Sequence, residues 1–222
     1  IKKYFKPSHI IDKYILVSGI AEAILAEKLS KWESGCDKDV KIAYLPSPGL
    51  VKLRLTVKDD NKPVLEKKIS VELKKIEKII KSNIVGYDND TPQEIIGKLL
   101  KSKNATLCTA ESCTGGAISA RIVSVPGSSA YFSGAVVAYS NQIKSEVLNV
   151  KKELLSKFGA VSREVVEQMA INVRKKMFAD YSIAVSGIAG PDGGTKDKPV
   201  GTVWIAVSSN RNSISQMLNL GN

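Results

Sequence analysis

Two hydrophobic periods alternate along the chain, and each switch between them marks an element. "KYILVSGIAEAILAEKLSKWE" opens as an apolar strand and continues as an amphipathic helix, with Ile20, Ile24, Leu25, Leu29 and Trp32 recurring at helical spacing. "VKIAYLPSPGLVKLRLTVKDD" predicts two strands around a Pro-Ser-Pro-Gly turn. In the second of them Val51, Leu53, Leu55 and Val57 alternate with Lys52, Arg54 and Thr56, so one face is buried and the other is wet. "KPVLEKKISVELKKIEKIIKS" returns to the helical period, with Leu65, Ile69, Leu73, Ile76 and Ile80 facing inward. The order β-α-β-β-α predicts a small α+β module over residues 1–88.

"NIVGYDNDTPQE" reads as a boundary, and residues 89–222 follow as a second domain. Asp90 or Thr91 can cap a helix that starts at Pro92, with Glu94 in its first turn. Beyond it, strands are expected at "ATLCTAES", "GAVVAYS", "DYSIAVSGIAG", "PVGTVWIAVSS" and "SISQMLNL". Helices are expected from Gly115 to Ser124, around "IKSEVLNV" and over "SREVVEQMAINVRKKM". Strands alternating with helices predict a three-layer α/β/α sandwich.

Composition narrows the function classes. The net charge of +11 comes from 33 Lys and Arg against 22 Asp and Glu. The excess is shared almost evenly between the two halves and scattered along helices, which describes a solvated lysine-rich surface rather than a nucleic-acid footprint. No apolar run approaches the ~20 residues of a membrane span, so a soluble protein with no membrane partner is expected. Cys36, Cys108 and Cys113 form neither a disulfide framework nor a zinc spacing, and His9 is the one histidine. These counts point away from a metal centre and from a Ser-His-Asp triad, and fit a reducing cytoplasmic setting. The chain begins with Ile, so a longer protein is expected to precede it.

In an open α/β sheet, ligands bind where strands end and helices begin. Three glycine-bearing corners qualify. In "TAESCTGGAIS", Gly115 and Gly116 free the backbone at a helix start, next to Glu111, Ser112 and Thr114. In "VPGSSAYF", Ser128 and Ser129 follow a Pro-Gly turn. "SGIAGPDGGTKDKPVG" carries Ser186, Gly187, Gly190, Pro191, Gly193 and Gly194 and is long enough to read as a ligand-facing loop. None of the three matches a Walker A loop, G-x-G-x-x-G or G-x-S-x-G. Without a usable histidine, a serine nucleophile needs another base, and a lysine desolvated at a strand end can serve. Lys144 follows such an end, with Tyr139 five residues before it.

"TAESCTGG", "PGSSAYFSGAVVAYSNQIK", "FGAVSREVVEQMA" and "SGIAGPDGGTKDKPVGTVWIAV" together resemble the CinA C-terminal family, the nicotinamide-nucleotide amidases (NMN deamidases), over about residues 92–220. The stretch before them, with "GIAEAILAEKL" and "IAYLPSPGLVKLRL", resembles the KH-like domain that links this domain to the amino-terminal domain of full-length CinA. The resemblance implies hydrolysis of nicotinamide mononucleotide to nicotinate mononucleotide and ammonia by a Ser/Lys arrangement, with no metal or organic cofactor. It makes Lys144 the base, with Tyr139 as a relay. Either Ser112 or Ser129 can be the nucleophile; Ser129 is slightly favoured, with Ser112 and Thr114 shaping the pocket. The 5′-phosphate is expected at Gly115 and Gly116, and the Gly190–Gly194 loop is expected to enclose the ribose or the nicotinamide. A homodimer and contact with an upstream CinA domain are the implied partners. The family pattern continues past "NLGN" with an Arg and an apolar helix, where this sequence stops. The alternative function is a regulatory or nucleic-acid-binding competence module without amidase activity. A KH domain grips backbone through G-x-x-G, and residues 1–90 contain none.

Overall fold

Alternation in the first half of the chain becomes an antiparallel sheet covered on one face by two helices. The structure, a computed structural model, describes residues 9–221 and divides into two compact units, Ile1–Ile95 and Ile96–Asn222. In the first unit β1 (His9–Ser18), α1 (Glu22–Ser34), β2 (Val40–Ser47), β3 (Leu50–Asp59), α2 (Lys62–Ile80) and β4 (Ile84–Tyr87) follow in order. The sheet order is β2-β3-β1-β4, antiparallel throughout. Pro48 and Gly49 make the two-residue β2–β3 turn, and Gly49 takes φ +77°, a conformation that costs glycine little. Leu53, Leu55 and Val57 are fully buried against Leu25, Leu29, Leu65, Ile76 and Ile80. Ile24, expected inward, is half exposed, and within the boundary stretch Ile84–Tyr87 forms a fourth strand that pairs Leu16 with Gly86.

The division between units falls inside α3 (Pro92–Ser102). At its start the Thr91 N–H and hydroxyl both donate to the Glu94 carboxylate. The second unit continues with β5 (Leu107–Glu111), α4 (Ala117–Val123), β6 (Phe132–Val137), α5 (Asn141–Glu146), α6 (Lys152–Phe158), α7 (Arg163–Lys176), β7 (Tyr181–Gly187), β8 (Thr202–Ser209) and β9 (Ser213–Asn219). The sheet order is β6-β5-β7-β8-β9, parallel from β6 to β7 and antiparallel beyond. Strand period two sends Cys108, Ala110, Ala184 and Ala206 to the face packed by α7, where Val166, Met169 and Val173 are fully buried. It sends Leu107 to the opposite face, with Leu100 of α3 and Ile122 of α4. Helices on both faces of a mixed sheet make the three layers. α6 was not legible in the sequence.

Candidate active site

Three parallel strands deliver their carboxyl ends to one edge of the second sheet. Glu111, the last residue of β5, lies level with Val137 of β6 and Val185 of β7. The ladder runs one step further on each side: the Ala138 N–H donates to Glu111 O at 2.7 Å, and the Ser112 N–H donates to Val185 O at 3.0 Å. Ser112 therefore leaves the sheet between Ala138–Tyr139 and Ser186–Gly187. Ser140 caps α5, its hydroxyl accepting from the Ile143 N–H. The first turn of that helix then carries Lys144 back over the strand ends.

Lys144 is only 1% exposed. Its Nζ lies 2.9 Å from Ser112 Oγ, 2.8 Å from Ala138 O and 3.0 Å from Tyr139 O. No carboxylate pairs with it among the described residues. The two carbonyls can only accept, so they take two N–H groups of the amine. In the ammonium form the third N–H points at Ser112; in the neutral form the lone pair does, and it receives the serine proton. Burial lowers the Lys144 pKa, and the nearby Cys113 thiol opposes that shift only in part. The site thus favours the amine that a general base requires.

Glu111 fixes the corner from the other side. Its fully buried carboxylate accepts from the Thr114 hydroxyl at 2.7 Å and from the N–H groups of Gly116, Ile118 and Ser119 at 3.0, 3.1 and 2.8 Å, and from the Ser119 hydroxyl. Burial pushes its pKa up, but the bonds from Ser119 and Thr114 outweigh that and hold the carboxyl below its usual range. Gly116 permits this wrap with φ +101°. The helix start expected to receive a substrate phosphate is therefore occupied by a protein carboxylate. Glu111, Thr114, Gly115 and Gly116 build the corner; none of them borders the cavity described next.

That cavity, about 160 Å³, is bordered by Ser112, Cys113, Tyr139, Asn141 and Lys144 on one side. The other side is made by Ala160, Val161, Ser186, Gly187 and Ala189. Its volume suits the reacting end of a ligand rather than the whole of one, since small-molecule sites usually span ~300–1,000 Å³. A larger hollow in the first unit, about 590 Å³ beside Lys74 and Tyr87, is lined by no serine, threonine or cysteine. Ser129, the slightly favoured nucleophile on sequence, is exposed in the short turn Ser128–Ala130, and Lys144 bonds Ser112 instead. The reason is topological. The Pro-Gly turn precedes β6 at its amino end, while Lys144 follows β6 at its carboxyl end. Ser128 is buried, with its hydroxyl 3.5 Å from Val123 O. The Tyr139 ring is 74% exposed at the rim, so its backbone carbonyl, not its phenol, holds the amine. The Ser186 hydroxyl donates to Ala160 O at 2.8 Å. Gly187 borders the cavity, where a Cβ would lie 2.8 Å from Val203 Cγ2 and 3.0 Å from Cys113 Sγ. Gly190, Pro191, Gly193 and Gly194 lie on the exposed loop outside this cavity. Asn141, Ala160 and Val161 lie inside motifs that carry the family resemblance but are not singled out by the sequence; their place depends on how α5 and the α6–α7 turn pack. Among the described residues no cluster of potential metal ligands occurs, and no helix is long and apolar enough to cross a membrane.

Comparison with known proteins agrees with this architecture. The CinA C-terminal domain model matches residues 89–222, and the damage-inducible protein CinA KH domain model matches residues 12–86. A CinA-like protein of Cytophaga hutchinsonii is 47% identical over the whole chain and 53% of its own length. One from Thermosipho melanesiensis is 46% identical over 91% of the chain and 48% of its own length. The chain thus spans about half the length of the curated relatives it matches. Among solved structures, competence/damage inducible protein CihA from Agrobacterium tumefaciens is 38% identical, with a TM-score of 0.57 over 58% of this chain and 79% of its own. A CinA superfamily protein from Escherichia coli is 30% identical, with a TM-score of 0.57 over 61% of this chain and 80% of its own. The CinA C-terminal domain model spans the sheet edge that carries Ser112 and Lys144, and the chain belongs to the CinA family.

Proposed function

We propose that the second unit hydrolyses the carboxamide of nicotinamide mononucleotide, giving nicotinate mononucleotide and ammonia, with Ser112 as nucleophile and Lys144 as base. The observation that supports this most is the position of the Lys144 amine: buried, without a carboxylate, held by two carbonyls and 2.9 Å from Ser112 Oγ. The neutral amine takes the serine proton as Oγ bonds to the carboxamide carbon. The resulting ammonium returns that proton to the departing nitrogen, so ammonia leaves and an acyl-serine remains. Water, deprotonated by the same amine, then cleaves the ester and regenerates both groups. A permanently charged pyridinium disfavours a second cation nearby, which keeps Lys144 neutral when substrate is bound. The exposed Tyr139 ring at the rim offers a face to that pyridinium. The test is ammonia release from the mononucleotide by wild type, Ser112→Ala, Ser129→Ala and Lys144→Ala in parallel. Wild type that binds the mononucleotide yet releases no ammonia defeats the proposal.

A further inference from the structure

One wall of the cavity is held in place from outside. The turn between α6 and α7, Phe158–Val161, presents four successive carbonyls, and each accepts from a side chain. Phe158 O and Val161 O accept from Lys198 Nζ at 2.6 and 2.8 Å, Gly159 O from the Ser162 hydroxyl at 2.9 Å, and Ala160 O from the Ser186 hydroxyl at 2.8 Å. Lys198 stands on the glycine-rich loop between β7 and β8. Its backbone is closed on Thr195, whose N–H donates to Lys198 O at 2.8 Å and whose hydroxyl accepts from the Lys198 N–H at 3.1 Å. Ala160 and Val161 border the cavity opposite Ser112 and Lys144.

We infer that Lys198 is a positioning residue: by tying the glycine-rich loop to the Phe158–Val161 turn it holds Ala160 and Val161 as a wall over the Ser112–Lys144 pair and keeps water from the amine. The inference rests on Ser112 and Lys144 acting as nucleophile and base. A compact ammonium with several donors suits this task, because it spans two carbonyls three residues apart, as a hydroxyl cannot. Few other groups tune the amine. Toward Lys144 the β5 end presents Ser112 and the Cys113 thiol, and the β6 end presents two carbonyls and the Tyr139 ring at the rim. The Glu111 carboxylate is turned into the start of α4, and α5 offers Asn141. The dryness of the wall is then a main control on the amine.

The experiment compares wild type, Lys198→Met, Lys198→Arg and Ser186→Ala, with Lys196→Met on the same loop as control. Two rates are followed against pH: ammonia release from nicotinamide mononucleotide, and phosphonylation of Ser112 by a small uncharged fluorophosphonate, in which the serine oxygen displaces fluoride. Wetting the amine raises its pKa, so in Lys198→Met the rising limb of both profiles moves to higher pH by about one unit, which is about tenfold in rate on the acid side. Lys198→Arg recovers most of the shift, Lys196→Met shows none, and Ser186→Ala moves the limb the same way without any change of charge. Ser186→Ala also decides the matter if Lys198→Met fails to fold. A limb unmoved in both Lys198→Met and Ser186→Ala overturns the inference, as does a raised KM with an unmoved limb, which would make the loop a binding flap only. Wild type that is phosphonylated at Ser112 yet releases no ammonia removes the amidase proposal and leaves the phosphonylation profiles to judge Lys198. Wild type that is not phosphonylated at Ser112 overturns both.

Discussion

Replacing Lys144 with Met tests the site through two quantities that should move in different directions. Methionine keeps an unbranched apolar stem of nearly the same reach and removes only the amine. Losing a positioned general base costs ~10²–10⁴-fold in rate, or about 3–5 kcal/mol of transition-state stabilisation. Stability should change far less. The variant loses three hydrogen bonds, each worth about 0.5–1.5 kcal/mol net, and is relieved of an amine buried at 1% exposure with no counter-charge, a penalty of several kcal/mol when charged. The two terms are of similar size, so the unfolding free energy near neutral pH should stay within about 2 kcal/mol of wild type. The pH dependence carries the sign. The folded-state pKa of Lys144 is depressed, so the unfolded chain binds the extra proton between that value and about 10.4. Wild type therefore gains stability relative to Lys144→Met as pH rises through this window, and loses that advantage as pH falls through the folded-state pKa. Urea unfolding across pH measures one quantity, and ammonia release the other. Activity within tenfold of wild type in Lys144→Met would refute the assignment of the base; a stability difference independent of pH would refute the buried amine.

Other outcomes follow from the same geometry. Ser112→Ala should lose at least ~10³-fold in ammonia release, whereas Ser129→Ala, at an exposed turn away from the amine, should stay within about twofold. Glu111→Ala leaves three helix-start N–H groups and the hydroxyls of Thr109, Thr114 and Ser119 without their carboxylate and should cost about 3–5 kcal/mol in urea unfolding. Because the Glu111 pKa is depressed, its contribution is complete above about 4.3 and is lost as pH falls through the folded-state value. A Cβ at Gly97 would stand 2.6 Å from Tyr131 Oη, a buried hydroxyl without a partner among the described residues. Gly97→Ala should then cost ~1–3 kcal/mol, Tyr131→Phe should be neutral or stabilising, and the double variant should recover most of the loss in thermal melts.

The first unit was legible because its strands are half-buried, so Val51, Leu53, Leu55 and Val57 announce the face they turn inward. Ile24 misled because helical spacing marks a stripe broader than the one α1 buries, which is Leu25, Leu29 and Trp32. α6 was missed because none of its seven residues is fully buried, which leaves little periodicity to detect. At the site, Lys144 was visible as a lysine following a strand end. The sequence left Ser112 and Ser129 both open as its partner, because sequence distance favours Ser129, whereas parallel pairing puts Ser112 level with Ala138 and within 2.9 Å of the amine. The role of Glu111 was hidden for the same reason: a glutamate before glycines looks like a ligand-binding group until the amides it satisfies can be counted.

Ser112 grows directly out of an interior strand of the sheet, with ladder bonds on both flanks at its root. An element so placed opens only when the whole unit melts. Heat inactivation of the serine should therefore trace the calorimetric transition, with no earlier step, and an engineer seeking a more heat-tolerant variant would do better to reinforce the unit at large than to brace the reactive corner.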